Sequence, residues 1–274
     1  MTDFLRRLLA TPQGLIGSLV VVLVLFAALT GAWLAPHDPD AMAALARYKA
    51  PGGDYLLGTD QYGRDILSRI LSGARSTVTM ALLATLLGTL LGAVVGTGSA
   101  YLGGRWDEAI MRTVDAVMAI PSLLMALLVV SLLGASGANA LLAVAIAFMP
   151  GMARITRAVA LTVRKQDYVS AAVARGEGSL YIVLREMLPN VIAPIVVEMT
   201  IRVSFAVMLF ATLSFLGLGA QPPAADWGLM VSEARQYLHR SPWILIWPSV
   251  VIAITAIGFN LLGDGLRDAL NPRT

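Results

Sequence analysis

Residues 166–190 read QDYVSAAVARGEGSLYIVLREMLPN, a polar and charged stretch set between long apolar runs. Gln166 to Arg175 can form a short helix, and Ala171 and Ala172 leave one side of it nearly bare, so a partner's surface could come close. Gly176 and Gly178 bracket Glu177 and would end that helix, because glycine tolerates the left-handed turn. Ser179 can cap a second helix. Leu180, Val183, Leu184, Met187 and Leu188 recur there at i, i+3, i+4, i+7 and i+8, an apolar stripe. Pro189 then marks the exit toward the next apolar run. The pattern is helix, glycine turn, helix, lying outside a bilayer. It suits a loop resting on headgroups and a docking element equally well.

The surroundings are membranous. Of 274 residues, 57% are hydrophobic and 14% charged, with a mean hydropathy of +0.75. A soluble domain has about 45–50% apolar and about 25% charged residues. Six runs approach the ~20 residues that a hydrocarbon core requires: about 14–35, 77–101, 114–134, 140–162, 191–218 and 243–263. The first follows a basic flank, as in a signal peptide, but it is longer than a signal core and lacks a clear A-x-A site, so it reads as an uncleaved helix. The expected fold is an all-α polytopic membrane protein with six transmembrane helices. In the second run Gly88, Gly92 and Gly96 stand four apart, a stripe that lets two helices approach closely, within this subunit or between subunits.

Lys and Arg orient the chain. With the N-terminus inside, Arg6, Arg7, Arg105, Arg112, Arg154, Arg157, Arg164, Lys165, Arg175, Arg185, Arg267 and Arg273 are cytoplasmic, against Arg47, Lys49, Arg64, Arg69, Arg75, Arg235 and Arg240 outside. The bias places both termini in the cytoplasm, and it accounts for the basic sequence pI near 9.4 without nucleic acid. Arg154, Arg157, Arg164 and Lys165 share one side of a helix that extends the fourth span, a stripe suited first to anionic lipid.

Two segments lie outside. Residues 36–76 begin irregularly and end in a short amphipathic helix on the membrane surface, its Ile66, Leu67, Ile70 and Leu71 at helical spacing and Asp65 paired with Arg69 at i,i+4. Residues 219–242 carry a Pro-Pro pair and Trp227, which suggests a semi-rigid loop at headgroup level.

Catalytic sets are absent. His37 and His239 both fall outside, H-E-x-x-H does not occur, and neither Lys49 nor Lys165 closes a phosphate-binding loop. Gly134-Ala135-Ser136-Gly137 has no base nearby. Without cysteine there are no disulfides or thiolate metal sites. If ATP is used, another chain binds it. Within the spans, Glu198 and Arg202 form an i,i+4 couple that either pairs internally or lines a cavity. Asp115 is interfacial. Pro121, Pro150, Pro194 and Pro248 would kink their helices.

Three blocks carry a resemblance. The opening stretch resembles the EAA motif of ABC importer permeases: Ala171, Ala172, Gly176, Leu188 and Pro189 match, while Ser170 stands where that motif has glutamate. LGTDQYGRDILSRILSGAR (57–75) resembles the segment before the second helix of C-type dipeptide/oligopeptide permeases. SFLGLGAQPPAADWGLMVSEARQYL (214–238) and FNLLGDGLRDALNPR (259–273) resemble their C-terminal signature. The resemblance implies a type I ABC importer permease fold in the bacterial inner membrane. It implies a division into a first helix with its outer segment (1–76) and a permease core (77–274) bearing a cytoplasmic coupling loop near 164–190. It implies a homologous second permease chain, two ATPase subunits that bind ATP and magnesium, and an extracytoplasmic binding protein, with no cofactor in this chain. Asp167, Tyr168, Ser170, Ala171, Ala172, Gly176, Glu177, Leu188 and Pro189 would contact the ATPase, Asp167 or Glu177 standing in for the missing acid. Relatives of this type carry dipeptides, oligopeptides, glutathione, nickel chelates, opines or sugars. The rival class is an ATP-independent carrier acting alone.

Overall fold

A computed structural model describes residues 2–270, with side chains from Phe4 onward; Arg273 of the C-terminal block lies outside the described residues. Among the described residues the regular structure is helical. Five helices are long and apolar enough to cross a membrane, and one bent pair makes a sixth passage when taken as a single span.

A short helix that sequence reading did not anticipate, α1 (Thr2–Ala10), precedes α2 (Pro12–Leu34). Thr11 separates them by accepting a hydrogen bond from the Gly14 amide, and Pro12 suits the first helical turn. Helix α3 (Ile66–Leu102) is continuous over 37 residues, about 55 Å at 1.5 Å per residue. The expected surface helix is therefore the outer extension of the second span. Its stripe does not meet lipid: Ile66 and Ile70 are buried among Ala28, Trp227, Met230 and Ile244.

The third passage is broken. Helices α4 (Gly104–Met118) and α5 (Ser122–Leu133) are bent by 87°, and the single helix expected over 114–134 does not form. Pro121 disfavours helical geometry at Ile120 and supplies no amide donor. At 12 residues, α5 is about 18 Å long, short of the ~30 Å hydrocarbon core. Ser136 then caps α6 (Gly137–Val163) by accepting from the Asn139 amide, a structural use of the Gly-Ala-Ser-Gly turn.

Helix α3 packs along α6, and the glycine stripe is the reason. A Cβ at Gly88 would lie 2.7 Å from the Ala145 carbonyl oxygen, and one at Gly92 would lie 2.6 Å from Met152 Cβ. Gly96 faces Ala153 and Thr156 in the same way. The stripe thus serves packing inside this chain. After α7 (Asp167–Ala174), α8 runs from Ser179 to Phe215 and α10 from Trp243 to Leu270, with α9 (Trp227–Ala234) between them. Helix α10 packs on α2 and α8, and α8 also meets α3 and α6.

At one end of the bundle the irregular segment after α2 is locked to α9. Asp60 accepts from Arg64 Nε at 2.6 Å, and Arg64 reaches Glu233 at 2.8 Å. The expected Asp65–Arg69 pair is not made. Asp65 caps α3 through the Ser68 amide and hydroxyl, whereas Arg69 turns to Asp40 at 3.3 Å and to the Pro39 carbonyl. A cap must face the helix start, so the Asp65 carboxylate points away from the turn below.

Trp227 is likewise turned into the protein rather than outward. It is buried and donates from Nε1 to the Ile70 carbonyl at 2.9 Å. Asp226 caps α9 and accepts from the Thr77 hydroxyl at 2.8 Å. Burial raises the Asp226 carboxyl above its ordinary pKa, against hydrogen bonds from Thr77 and Leu229 that lower it.

Candidate functional site

The opposite end carries the opening stretch. Helix α7 is eight residues long and begins at Asp167 after the N-cap residue Gln166, which places an acid in the first turn, where the helix dipole favours it. Val169 and Ala172 are fully buried in one apolar cluster with Ile182, Met187 and Val191 of α8 and Met152 and Ala160 of α6, and α7 packs on the 182–187 turn of α8. Gly176 sits at φ +76°. Its amide bonds Val173 O at 2.9 Å, and the Glu177 amide bonds Ala172 O at 3.2 Å. These are the two bonds of a Schellman stop, which satisfies the last carbonyls of α7. Arg175 meets Glu186 at 3.3 Å, tying the end of α7 to α8.

The chain thus holds α7 by its inner side and leaves the other side open. Asp167, Tyr168, Ser170, Ala171, Val173 and Ala174 are exposed, as are Leu180, Tyr181 and Leu184 at the start of α8. Burial raises the Tyr168 hydroxyl pKa, and the nearby Glu186 charge adds to this. A cavity of about 510 Å³ lies beside α7, lined by Tyr101, Leu102, Arg164, Val169, Ser170 and Val173.

Four expectations change here. The two alanines do not share one bare side: Ala172 seats on this chain and Ala171 faces out. Ser179 is not a cap, since Gly178 holds that position without a side-chain bond. The apolar stripe is rotated, with Ile182, Val183 and Met187 inward and Leu180 and Leu184 outward. Pro189 is no exit, because α8 passes through it unbroken. The last two share a cause. Residues Ile182–Met187 form a π-helical turn, in which the Leu188 amide bonds Val183 O, five residues back. This wider turn shifts the register just before a residue without an amide donor.

Three of the four cations of the basic stripe meet protein groups. Arg157 Nε donates to Asp107 at 2.6 Å, and the Ser99 hydroxyl bonds the same carboxylate. Arg154 pairs with Asp115 at 2.8 Å, and Arg164 donates to the Ala100 carbonyl at 3.0 Å. These contacts fasten the end of α3 and the helix α4 to α6, immediately behind α7. Sequence reading missed Asp107. Its signal would have been two acids, Asp107 and Asp115, about two turns apart on one helix opposite two arginines on another.

Deeper in the bundle, Arg202 NH2 and Glu198 Oε1 lie 3.1 Å apart. Arg202 also faces the Phe148 ring at 5.9 Å and lines a cavity of about 450 Å³ with Ser122, Phe205, Met208 and Thr212. The couple is therefore paired and cavity-lining together.

The fold, a multi-span helical bundle with a short helix braced against its end, is that of a type I ABC importer permease. By fold the chain resembles a chain of the inward-facing MetNI methionine ABC transporter, with TM-score 0.59 and 17% identity, over 74% of this chain and 97% of that one. Residues 88–274 match the family described as binding-protein-dependent transport system inner membrane component, and residues 1–51 match the N-terminal TM domain of oligopeptide transport permease C. The chain is 42% identical to the dipeptide transport system permease protein DppC of Haemophilus influenzae, over 94% of this chain and 90% of that protein. It is 38% identical to the glutathione transport system permease protein GsiD of Escherichia coli, over 99% and 90%. The chain belongs to the binding-protein-dependent inner membrane components. It is a multi-pass permease subunit of an ABC importer in the bacterial inner membrane, a family that works with ATPase and substrate-binding partners.

Proposed function

We propose that this permease carries dipeptides or oligopeptides inward and forms half of the translocation pathway. Its other half is a homologous permease chain. Two ATPase subunits bind ATP and magnesium, and an extracytoplasmic binding protein delivers the solute. The end bearing α7 is cytoplasmic, as are both termini. Residues 1–76 act as an anchoring helix with an outer segment, and 77–274 act as the transport core.

The observation that carries this reading is the mounting of α7. Val169 and Ala172 seat it on α8 in an apolar cluster shared with α6, the Gly176 stop joins it to α8, and Tyr168, Ser170, Ala171 and Val173 are left for a partner. A helix held this way moves with the helices it is packed against. ATP binding closes the ATPase dimer, α7 follows, and the spans switch between two global states, each favoured by a different ligand. Glu177 and Asp167 supply acid near the ATPase surface, while Ser170 leaves room beside Arg164.

Reconstitution tests the reading. Vesicles holding both permease chains, the ATPases and the binding protein should take up radiolabelled dialanine only with ATP inside. ATP-independent uptake by the lone chain would establish a secondary carrier instead.

A further inference from the structure

Arg202 stands midway along the membrane part of α8, about 20 Å from Leu188 and from Phe215 along the axis, with Glu198 one turn before it. A charged pair at that depth is costly and persists where it lines a polar passage or serves a ligand. Glu198 takes one nitrogen of the guanidinium. Nε of Arg202 is buried and has no hydrogen-bond partner among the described residues. Gly151 makes room for the group, since a Cβ there would come within 2.9 Å of Arg202 NH2.

The guanidinium lies between two cavities. On one side is the cavity of about 450 Å³ walled by Phe148, Phe205 and Met208. On the other is one of about 120 Å³ at the α4–α5 break, reached past Ile120, Ser122 and Gly151. A guanidinium held on one nitrogen by Glu198, beside an apolar-walled space, matches a carboxylate carried on a small solute with side chains. The larger space is within the range of small-molecule sites, about 300–1,000 Å³.

We propose that Arg202 is a carboxylate station in the pathway, with Glu198 as its resting counter-ion. An arriving solute displaces Glu198 and places its free carboxylate on the guanidinium, and its side chains rest on Phe148, Phe205 and Met208. Glu198 retakes the guanidinium as the solute leaves, so Arg202 is not left unpaired in the membrane. This inference rests on the peptide reading above and narrows it to solutes with a free carboxylate.

The test separates a reading role from a structural pair. In the reconstituted complex, Glu198→Gln with Arg202→Met removes both charges with side chains of similar size, so a purely structural pair is replaced at little cost. The expected result is normal assembly with dialanine uptake reduced about tenfold or more, the loss of charged hydrogen bonds to the solute. Uptake within about twofold of the unsubstituted complex would overturn the proposal, since charged contacts of this strength are worth more than that. Should the neutral pair not assemble, the exchanged pair, Glu198→Arg with Arg202→Glu, decides: transport restored overturns the proposal, and recovered thermal stability without transport supports it. If the unsubstituted complex takes up no dialanine, the peptide reading falls and this inference falls with it.

Discussion

Replacing Gly176 by valine tests how the short helix is joined to the bundle. Gly176 adopts φ +76°, and an added Cβ there would meet no atom within 4 Å. The cost is therefore conformational, about 1–2 kcal/mol for an L-residue in the left-handed region and more for a β-branched one. That shifts the population of the turn by roughly 5–30-fold. The two Schellman bonds, from the Gly176 and Glu177 amides, are weakened together. Nothing in the spans is touched, so insertion and the assembly of the bundle persist. The assay is uptake per ATP hydrolysed in vesicles holding the complete complex. Gly176→Val should lower that ratio severalfold with the protein still in the membrane. Gly176→Asn, which enters the left-handed region more readily, should recover most of it. An unchanged ratio for the valine variant would refute the idea that a defined turn transmits force from α7.

Further outcomes follow from the packing. Asp107→Asn removes the charge that holds Arg157 and Ser99, and it should lower the thermal stability of the complex by about 1–3 kcal/mol, read from its melting midpoint. Gly92→Leu forces a side chain against Met152 Cβ at 2.6 Å and the Met149 carbonyl at 2.7 Å. It should part α3 from α6 and cut the yield of assembled complex, at a cost of about 1–3 kcal/mol or more. Trp227→Phe keeps an aromatic ring but drops the bond to Ile70 O and leaves a gap at a fully buried position, which should cost about 2–3 kcal/mol in the same melting assay.

What could be read along the chain, and what could not, divides by the range of the interaction. Five of the six apolar runs and the glycine stop at Gly176 are local, and they stand where their residues put them. Span limits shifted where a helix found partners beyond its own stretch: α3 grew by a dozen residues because Ile66 and Ile70 pack on Trp227, far along the chain. Trp227 itself has the amphipathic look of a headgroup anchor, and only the distant Ile70 carbonyl shows why it is buried. Single-chain periodicity cannot join Asp107 to Arg157 across 50 residues. The stripe on α8 was assigned at 3.6 residues per turn, and the π-helical turn at Ile182–Met187 breaks that count. Of the candidate residues, Gly176 kept its expected role in the turn. Ala172 proved to be the inner support of α7, and Ala171 its outer face.

The outer face is where the account is most directly exposed to test. The protein has no native cysteine, so single cysteines at Ala171 and Ala172 report cleanly on the two sides of α7. With a maleimide inside the vesicle, Ala171→Cys should be labelled in the permease pair alone and protected once the ATPase subunits are bound, while Ala172→Cys stays unlabelled in both. Equal labelling of Ala171→Cys with and without the ATPases would contradict the docking of α7 on them.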